Sequence, residues 1–310
     1  MGILRSGFVT ASRSPRLRSA AEHSSLLSPV VDRFIAGTDV DAAIKAAHEL
    51  SADRYVSLDH LGEATTDPSA AESTVAAYVT LLRRLDDEGL TPRAEVSVKL
   101  SALGQALDAD GEKIALENLL EVCKVAAEVG STVTVDMEDH TTTDSTLQIV
   151  REARGDFPTL GTVLQASLRR TESDCHDLSG PGSRIRLCKG AYDEPISVAY
   201  RAKEEVDASY VRCLRILMTG QGYPMVATHD PALITVGEQL AIASQRSRDA
   251  YEFQMLYGIR PAHQTELAAA GHKLRIYTPY GTEWYPYFMR RLGERPANVA
   301  FFLRSFGNRS

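Results

Sequence analysis

The sequence is short of cysteine, of tryptophan and of long apolar runs, and the cysteine and apolar-run shortages each remove a class of protein. Cys123, Cys175, Cys188 and Cys213 are scattered through 310 residues. No two have CxxC spacing, which argues against a zinc ribbon or a thioredoxin-type redox pair. Sparse thiols of this kind are usually buried and free, and they fit a reducing compartment. No apolar run approaches the roughly 20 residues that a membrane-spanning helix needs. Basic residues are in deficit too, 34 Lys and Arg against 41 Asp and Glu, for a net charge of -7. A general nucleic-acid binder needs a basic footprint, so nucleic acid is not an expected partner. A small anionic or zwitterionic substrate stays open, because local charge decides there.

What remains is an ordinary globular composition, 44% hydrophobic and 24% charged. A chain of this length suits a single α/β barrel. The first twenty residues carry Arg5, Arg13, Arg16 and Arg18 with several serines and no acid. That composition is similar to a transit segment, without the apolar core of a secretory signal; the simpler expectation is an exposed basic helix. Residues 1–50 read as an N-terminal helical segment, with helical periodicity clear from Val40 to Leu50. Residues 51–310 read as the barrel.

Eight β-like runs alternate with helical stretches: RYVSLDHLGE from Arg54, AEVSVKLSALG from Ala94, STVTVDMEDH from Ser131, LGTVLQASLRR from Leu160, SRIRLCKGAY from Ser183, YPMVATHD from Tyr223, YEFQMLYGI from Tyr251 and KLRIYTPYG from Lys273. Helical pattern lies between them, over 73–88, 111–129, 196–219 and 231–245. Such alternation implies parallel pairing through crossovers, and eight units close into a (β/α)₈ barrel. A doubly wound sheet is the competitor, but no Gly-rich nucleotide loop follows the first run. The early part of each run is largely apolar, and charged residues gather at its far end. In a barrel the carboxyl ends of the strands carry the active site.

Three stretches carry chemistry. In YTPYGTEWYPYFMRRLGERPAN, from Tyr277 to Asn298, a strand end and a Pro-Gly turn lead into a helix that Pro296 stops. Tyr287, Arg291 and Glu294 share a face of it at i, i+4 and i+7, with Arg290 adjacent. Two guanidinium forks at a barrel mouth suit a carboxylate, and Glu294 would offset their repulsion. A solvated surface helix is the bland alternative. In RLCKGAY, from Arg186 to Tyr192, Gly190 permits close backbone approach and the turn makes an anion nest. In VDMEDH, from Val135 to His140, the acids suit a metal, a proton-handling pair or a hydrogen-bond anchor.

Together these stretches resemble the proline dehydrogenase family. The resemblance rests on VSVKLSALG, VDMED, VLQASLRR, RLCKGAY, ATHD, EFQMLYGI and the block from Tyr277, in order from about Tyr55 to Leu303. It implies FAD at the carboxyl ends of the strands, oxidation of L-proline to Δ¹-pyrroline-5-carboxylate by hydride transfer, and a membrane quinone as electron acceptor. By the same resemblance Lys99, Arg290 and Arg291 hold the proline carboxylate, Tyr277 and Tyr287 pack around its ring, and Glu294 holds the arginines. Asp136 and Arg186 lie near the reactive part of the flavin. Met137, Gln165, Lys189, Gly190, Ala191, Thr228 and His229 would contact FAD. Two departures fall beside the flavin. Asp193 and Glu194 follow Lys-Gly-Ala-Tyr where many relatives have Trp, and Asp230 follows Ala-Thr-His where many have Asn. The length fits the monofunctional form, a cytoplasmic protein with peripheral membrane contact through its basic N-terminus. The alternative is a metal-dependent barrel hydrolase or aldolase using Asp59, His60, Glu138, His140 and His229. A binding module without a cofactor is a third option, and it leaves the polar strand ends unexplained.

Overall fold

A computed structural model describes residues 31–294 of the chain, with side chains to Arg291. The basic segment before Val31, Pro296 and the last residues of the Tyr277 block lie outside the described residues, and so does the Glu294 side chain. Eight parallel strands form one closed barrel in sequence order: β1 Tyr55–His60, β2 Ala94–Val98, β3 Val133–Val135, β4 Gly161–Gln165, β5 Arg184–Cys188, β6 Tyr223–Ala227, β7 Glu252–Leu256 and β8 Leu274–Tyr280. β8 closes the ring on β1 over six residue pairs, from Tyr55 opposite Arg275 to His60 opposite Tyr280. All eight strand-like runs are strands. The helices around them are α1 Val40–Ser51, α2 Pro68–Asp87, α3 Gly111–Glu128, α4 Thr143–Ala153, α5 Thr171–Asp177, α6 Lys203–Thr219, α7 Pro231–Ala243, α8 Pro261–Ala269 and α9 Trp284–Glu294. α6 starts at Lys203, seven residues later than the pattern from Ile196 suggests. The skipped segment instead pairs Ala199 with Leu168 in an antiparallel bridge.

Local chemistry sets the helix starts. Asp67 and Asp230 each accept a backbone N–H two residues on, and Pro68 and Pro231 follow them at the first helical position. This pairing caps an orphan donor and presets φ. Strand alternation then sorts the two faces of the sheet. Val56, Leu58, Val96, Val98, Ile185, Leu187, Val226, Phe253 and Ile276 are buried in the cluster that includes the apolar faces of the surrounding helices. Each such side chain contributes about 1.5–3 kcal/mol by burial.

The alternate positions point into the barrel, and they are not the branched aliphatics that usually fill one. Ser57, Glu95, Ser97, Thr134, Arg186, Glu252, Gln254 and Arg275 are all buried there, with Arg184 half-buried at the base. The early halves of the strands therefore carry charge inside, contrary to the apolar reading of these segments. Glu95 accepts from Arg184 at 2.6 Å, Thr132 at 2.9 Å, Ser57 at 3.1 Å and Thr134 at 3.2 Å. Arg275 donates twice to Glu252, at 2.7 and 3.1 Å. Burial alone would raise the Glu95 carboxyl, but the guanidiniums of Arg275, Arg184 and Arg186 hold it well below the usual carboxylate range.

A second hydrophobic cluster lies apart from the main core. It joins Val31, Phe34 and Ile35 to Leu61, Ile259 and the α9 residues Trp284, Tyr285, Tyr287, Phe288 and Met289. The Phe34 and Phe288 rings sit 6.3 Å apart, centre to centre. The contact needs a bare backbone at Gly258: it has φ +70°, and an added Cβ would lie 1.7 Å from the Arg33 carbonyl oxygen. Through this cluster the segment before α1 holds the helix that carries Arg290 and Arg291.

Candidate active site

The polar interior continues upward to the carboxyl ends of the strands and becomes a connected network there. Arg186, from β5, is buried across the barrel axis. It donates to Gln254 of β7 at 2.5 Å, to Ser97 of β2 at 3.0 Å, to Ser57 of β1 at 3.2 Å and to Asp136 after β3 at 2.6 Å. Asp136 takes a second hydrogen bond, 2.6 Å, from the Tyr277 hydroxyl of β8. Lys99 places Nζ 2.8 Å from both carboxylate oxygens of Asp59 and 3.6 Å from Asp136. The Arg186 guanidinium also lies 5.2 Å from the centre of the Tyr277 ring. Residues from six strands or their ends thus converge on one network, as a catalytic constellation on a rigid scaffold requires.

Charge balances through this column. Lys99, Arg184, Arg186 and Arg275 face Asp59, Glu95, Asp136 and Glu252. Buried charges are tolerable when paired and hydrogen-bonded in this way. Burial by itself would lower the Lys99 ammonium, but Asp59 and Asp136 reverse this and raise it, so the amine stays charged. Burial pushes the Asp136 carboxyl up, against the pull of Arg186 and Lys99. The Tyr277 phenol is raised far above its ordinary range, by burial first and then by the charges of Asp136 and Asp59. Tyr277 is therefore a neutral donor at any physiological pH.

α9 supplies the outer wall. Arg290 makes a two-pronged pair with Glu63, which follows β1, and one prong measures 3.0 Å. Arg291 is buried and stacks over Tyr287 at 5.0 Å. Tyr192 is half-buried beside Glu63, Arg290, Glu138 and Lys99, and the loss of water around it raises its phenol. Neighbouring strand ends make a second group. Gln165 donates to the Glu138 carbonyl at 2.8 Å, and its side-chain oxygen faces Gly190. Gly190 has φ +107°, and an added Cβ would come 2.2 Å from Ser167 Oγ. Thr228 Oγ1 accepts from the Asp230 N–H at 3.1 Å, and His229 Nε2 accepts from the Leu256 N–H at 2.8 Å. That bond puts the ring proton of neutral His229 on Nδ1. Lys189 sits 2.5 Å from Asp207 and 3.2 Å from Asp230. Met137 is buried, and Ala191 is half-buried in the turn after Gly190.

Lys99, Asp136, Arg186 and Tyr277 thus share one network, and Arg290, Arg291 and Tyr287 form the adjoining wall. Asp59, Glu63 and Gln254 were missing from that expected set, and Tyr192 had no assigned role. Asp59 and Glu63 stand at the carboxyl end of β1 and Tyr192 after β5, where the strand-end rule points, so position alone could have found them.

The metal reading does not assemble. Asp59 is taken by Lys99, His140 by Glu194 at 2.5 Å, Glu138 by Ser101 at 2.7 Å, and His60 packs against Tyr78 and Tyr280. Among the described residues, no group of three or more His, Cys, Asp or Glu is placed to hold a metal ion.

Comparison with known proteins identifies the family. The model of the proline dehydrogenase family matches residues 43–304. The chain belongs to the proline dehydrogenase family. A proline dehydrogenase of Deinococcus radiodurans is 37% identical over 305 residues, covering 97% of each chain. Proline dehydrogenase 1 of Bacillus subtilis is 37% identical over 273 residues, 88% of this chain and 89% of its own. Among solved structures, proline utilization A (PutA) from Bdellovibrio bacteriovorus, inactivated by N-propargylglycine, superposes with a TM-score of 0.80 at 26% identity over 92% of this chain. This family member spans only 34% of that longer PutA chain.

Proposed function

We propose that this protein oxidises L-proline to Δ¹-pyrroline-5-carboxylate with FAD as the hydride acceptor and a membrane quinone as the final acceptor. Family membership supports the reaction. The observation that carries the site assignment is the convergence of Lys99, Arg290 and Arg291 on a mouth walled by Tyr277, Tyr287 and Tyr192. Cations with planar donor forks beside apolar ring faces suit a substrate that is a carboxylate at one end and a saturated ring at the other.

The residues present fit a flavin dinucleotide. Arg186 within β5 and Lys189 just after that strand offer positive charge, the Gly190 turn has no side chain to stand in a neighbour's way, and Gln165, Thr228 and His229 add polar groups nearby. In this reading Met137, Gln165, Lys189, Gly190, Ala191, Thr228 and His229 hold the cofactor, with Arg186 and Asp136 near its reactive ring. A bound flavin would supply the two-electron acceptor for the C–N bond.

The chain's own groups do the rest. Arg290, Arg291 and Lys99 pin the carboxylate, which fixes the ring carbon to be oxidised and removes the entropic cost of finding that pose. Asp59 keeps Lys99 charged and aimed, and Glu63 does the same for Arg290. Tyr277 and Tyr287 exclude water from the ring face. Proline loses a hydride from carbon and a proton from nitrogen, so its amine must enter the step neutral. Among the described residues no helix is long and apolar enough to cross a membrane.

A visible spectrum of the purified protein tests the reading. Flavin absorbance that bleaches on addition of L-proline is the expected result. A colourless protein that takes up no FAD after expression with ample riboflavin would overturn it.

A further inference from the structure

The notable feature outside the substrate wall is the setting of Lys189. Its ammonium lies between two carboxylates, 2.5 Å from Asp207 on α6 and 3.2 Å from Asp230 at the cap of α7. A second cation, Lys203 at the start of α6, touches the same pair: it contacts Asp207 closely and Asp230 at 3.9 Å. Two lysines and two aspartates thus form a neutral square. Lys203 is the outer corner, with its side chain 61% exposed, whereas Lys189, which directly follows β5, is 31% exposed.

Resting on the flavin reading above, we propose that Asp207 and Asp230 compete with the cofactor's phosphate groups for Lys189, and that Lys203 is the counter-cation that lets Lys189 go. A phosphate approaching a neutral square meets little net attraction. It gains Lys189 only as that ammonium leaves the two carboxylates. Those carboxylates would then repel the phosphate, except that Lys203 already touches both and stays with them. Cofactor arrival is an exchange of partners, in which the inner lysine turns to the phosphate and the outer lysine keeps the acids. Asp230 is a weakening group in this scheme, and Lys203 is a strengthening group that never touches the ligand.

The two roles have opposite signs, which separates them from a merely structural one. Asp230→Asn removes the charge and keeps the α7 cap, because Asn caps helices as well as Asp does. Lys203→Gln changes an exposed residue. Full-length protein loaded with FAD is diluted, and released cofactor is followed by its recovered fluorescence at low and high salt. Asp230→Asn is expected to tighten FAD binding about two- to fivefold, and Lys203→Gln to weaken it by a similar factor, the range set by partly exposed ion pairs. Both effects shrink in high salt. If both variants weaken binding, or neither changes it, while the unaltered protein holds FAD normally, the exchange is wrong and the flavin reading stands. If the unaltered protein binds no FAD at all, the flavin reading fails and the exchange falls with it.

Discussion

Glu95 is the residue whose loss the barrel should feel most, because one carboxylate there faces three arginines. It is 1% exposed and lies 2.6 Å from Arg184, 3.5 Å from Arg186 and 3.7 Å from Arg275. Glu95→Gln keeps the shape but only one accepting oxygen, sets an NH2 donor where the other carboxylate oxygen stood, and removes the charge, leaving Glu252 and Asp136 to offset three guanidiniums. Removing one partner of a buried ion pair costs about 3–5 kcal/mol. At roughly 2 °C per kcal/mol for a chain of this size, the melting temperature should fall by about 6–10 °C.

The pH dependence follows from the direction of the Glu95 shift. Its folded-state pKa lies below the unfolded value of about 4.3, so its contribution is complete above that value and disappears as pH falls below it. The difference in melting temperature between the two proteins should therefore be constant at neutral pH and close in acid. A calorimetric series across this range reads both effects. A fall of less than about 2 °C at neutral pH would refute the reasoning, as would a gap that widens in acid. Adding Arg184→Gln should recover part of the loss, since neutralising both members of a buried pair costs less than neutralising one.

Replacing Arg291 with Met should raise KM for proline at least about tenfold while flavin absorbance stays, because the forked contact to the substrate carboxylate is lost while an apolar side chain still covers Tyr287; unchanged proline kinetics would remove Arg291 from the clamp. Gly190→Ala should release FAD and lower the melting temperature, since φ +107° and a Cβ 2.2 Å from Ser167 Oγ force the turn after β5 to move; spectra after gel filtration check this. Turnover should rise with pH as proline's amine loses its proton, and a flat rate from about pH 6 to about pH 9 would contradict a neutral-amine step. A chelator should leave activity intact, because Asp59, Glu138, His140 and His229 already have other partners in the fold.

The sheet was legible because each strand is a short aliphatic run with a polar end, and such runs keep their register wherever helices cover the outer face. Lys99, Asp136 and Tyr277 were legible by the same rule, as polar residues toward the far ends of their runs, whereas Arg186, in the middle of β5, came from the family resemblance. The buried base was not. Glu95, Arg184, Glu252 and Arg275 stand at or near the starts of their strands, where a charge in sequence looks like a solvated flank. Only closure of the ring turns them toward one another, and closure is a property of all eight strands. The pairing of Glu63 with Arg290 was hidden for a similar reason: the two lie 227 residues apart, and no local pattern links them. The start of α6 was misplaced because apolar residues from Ile196 to Ala199 imitate helical spacing while serving as a bridge to Leu168.

The cluster that joins Phe34 to Phe288 also sets an order of events during synthesis. The segment around Phe34 leaves the ribosome about 250 residues before the helix it must grip. Long-range contacts of this kind form late, after the intervening chain has been ordered. Until that helix emerges the guanidinium wall is absent, and β8, made just before it, is what closes the ring on β1, so the barrel and its outer wall are completed almost together.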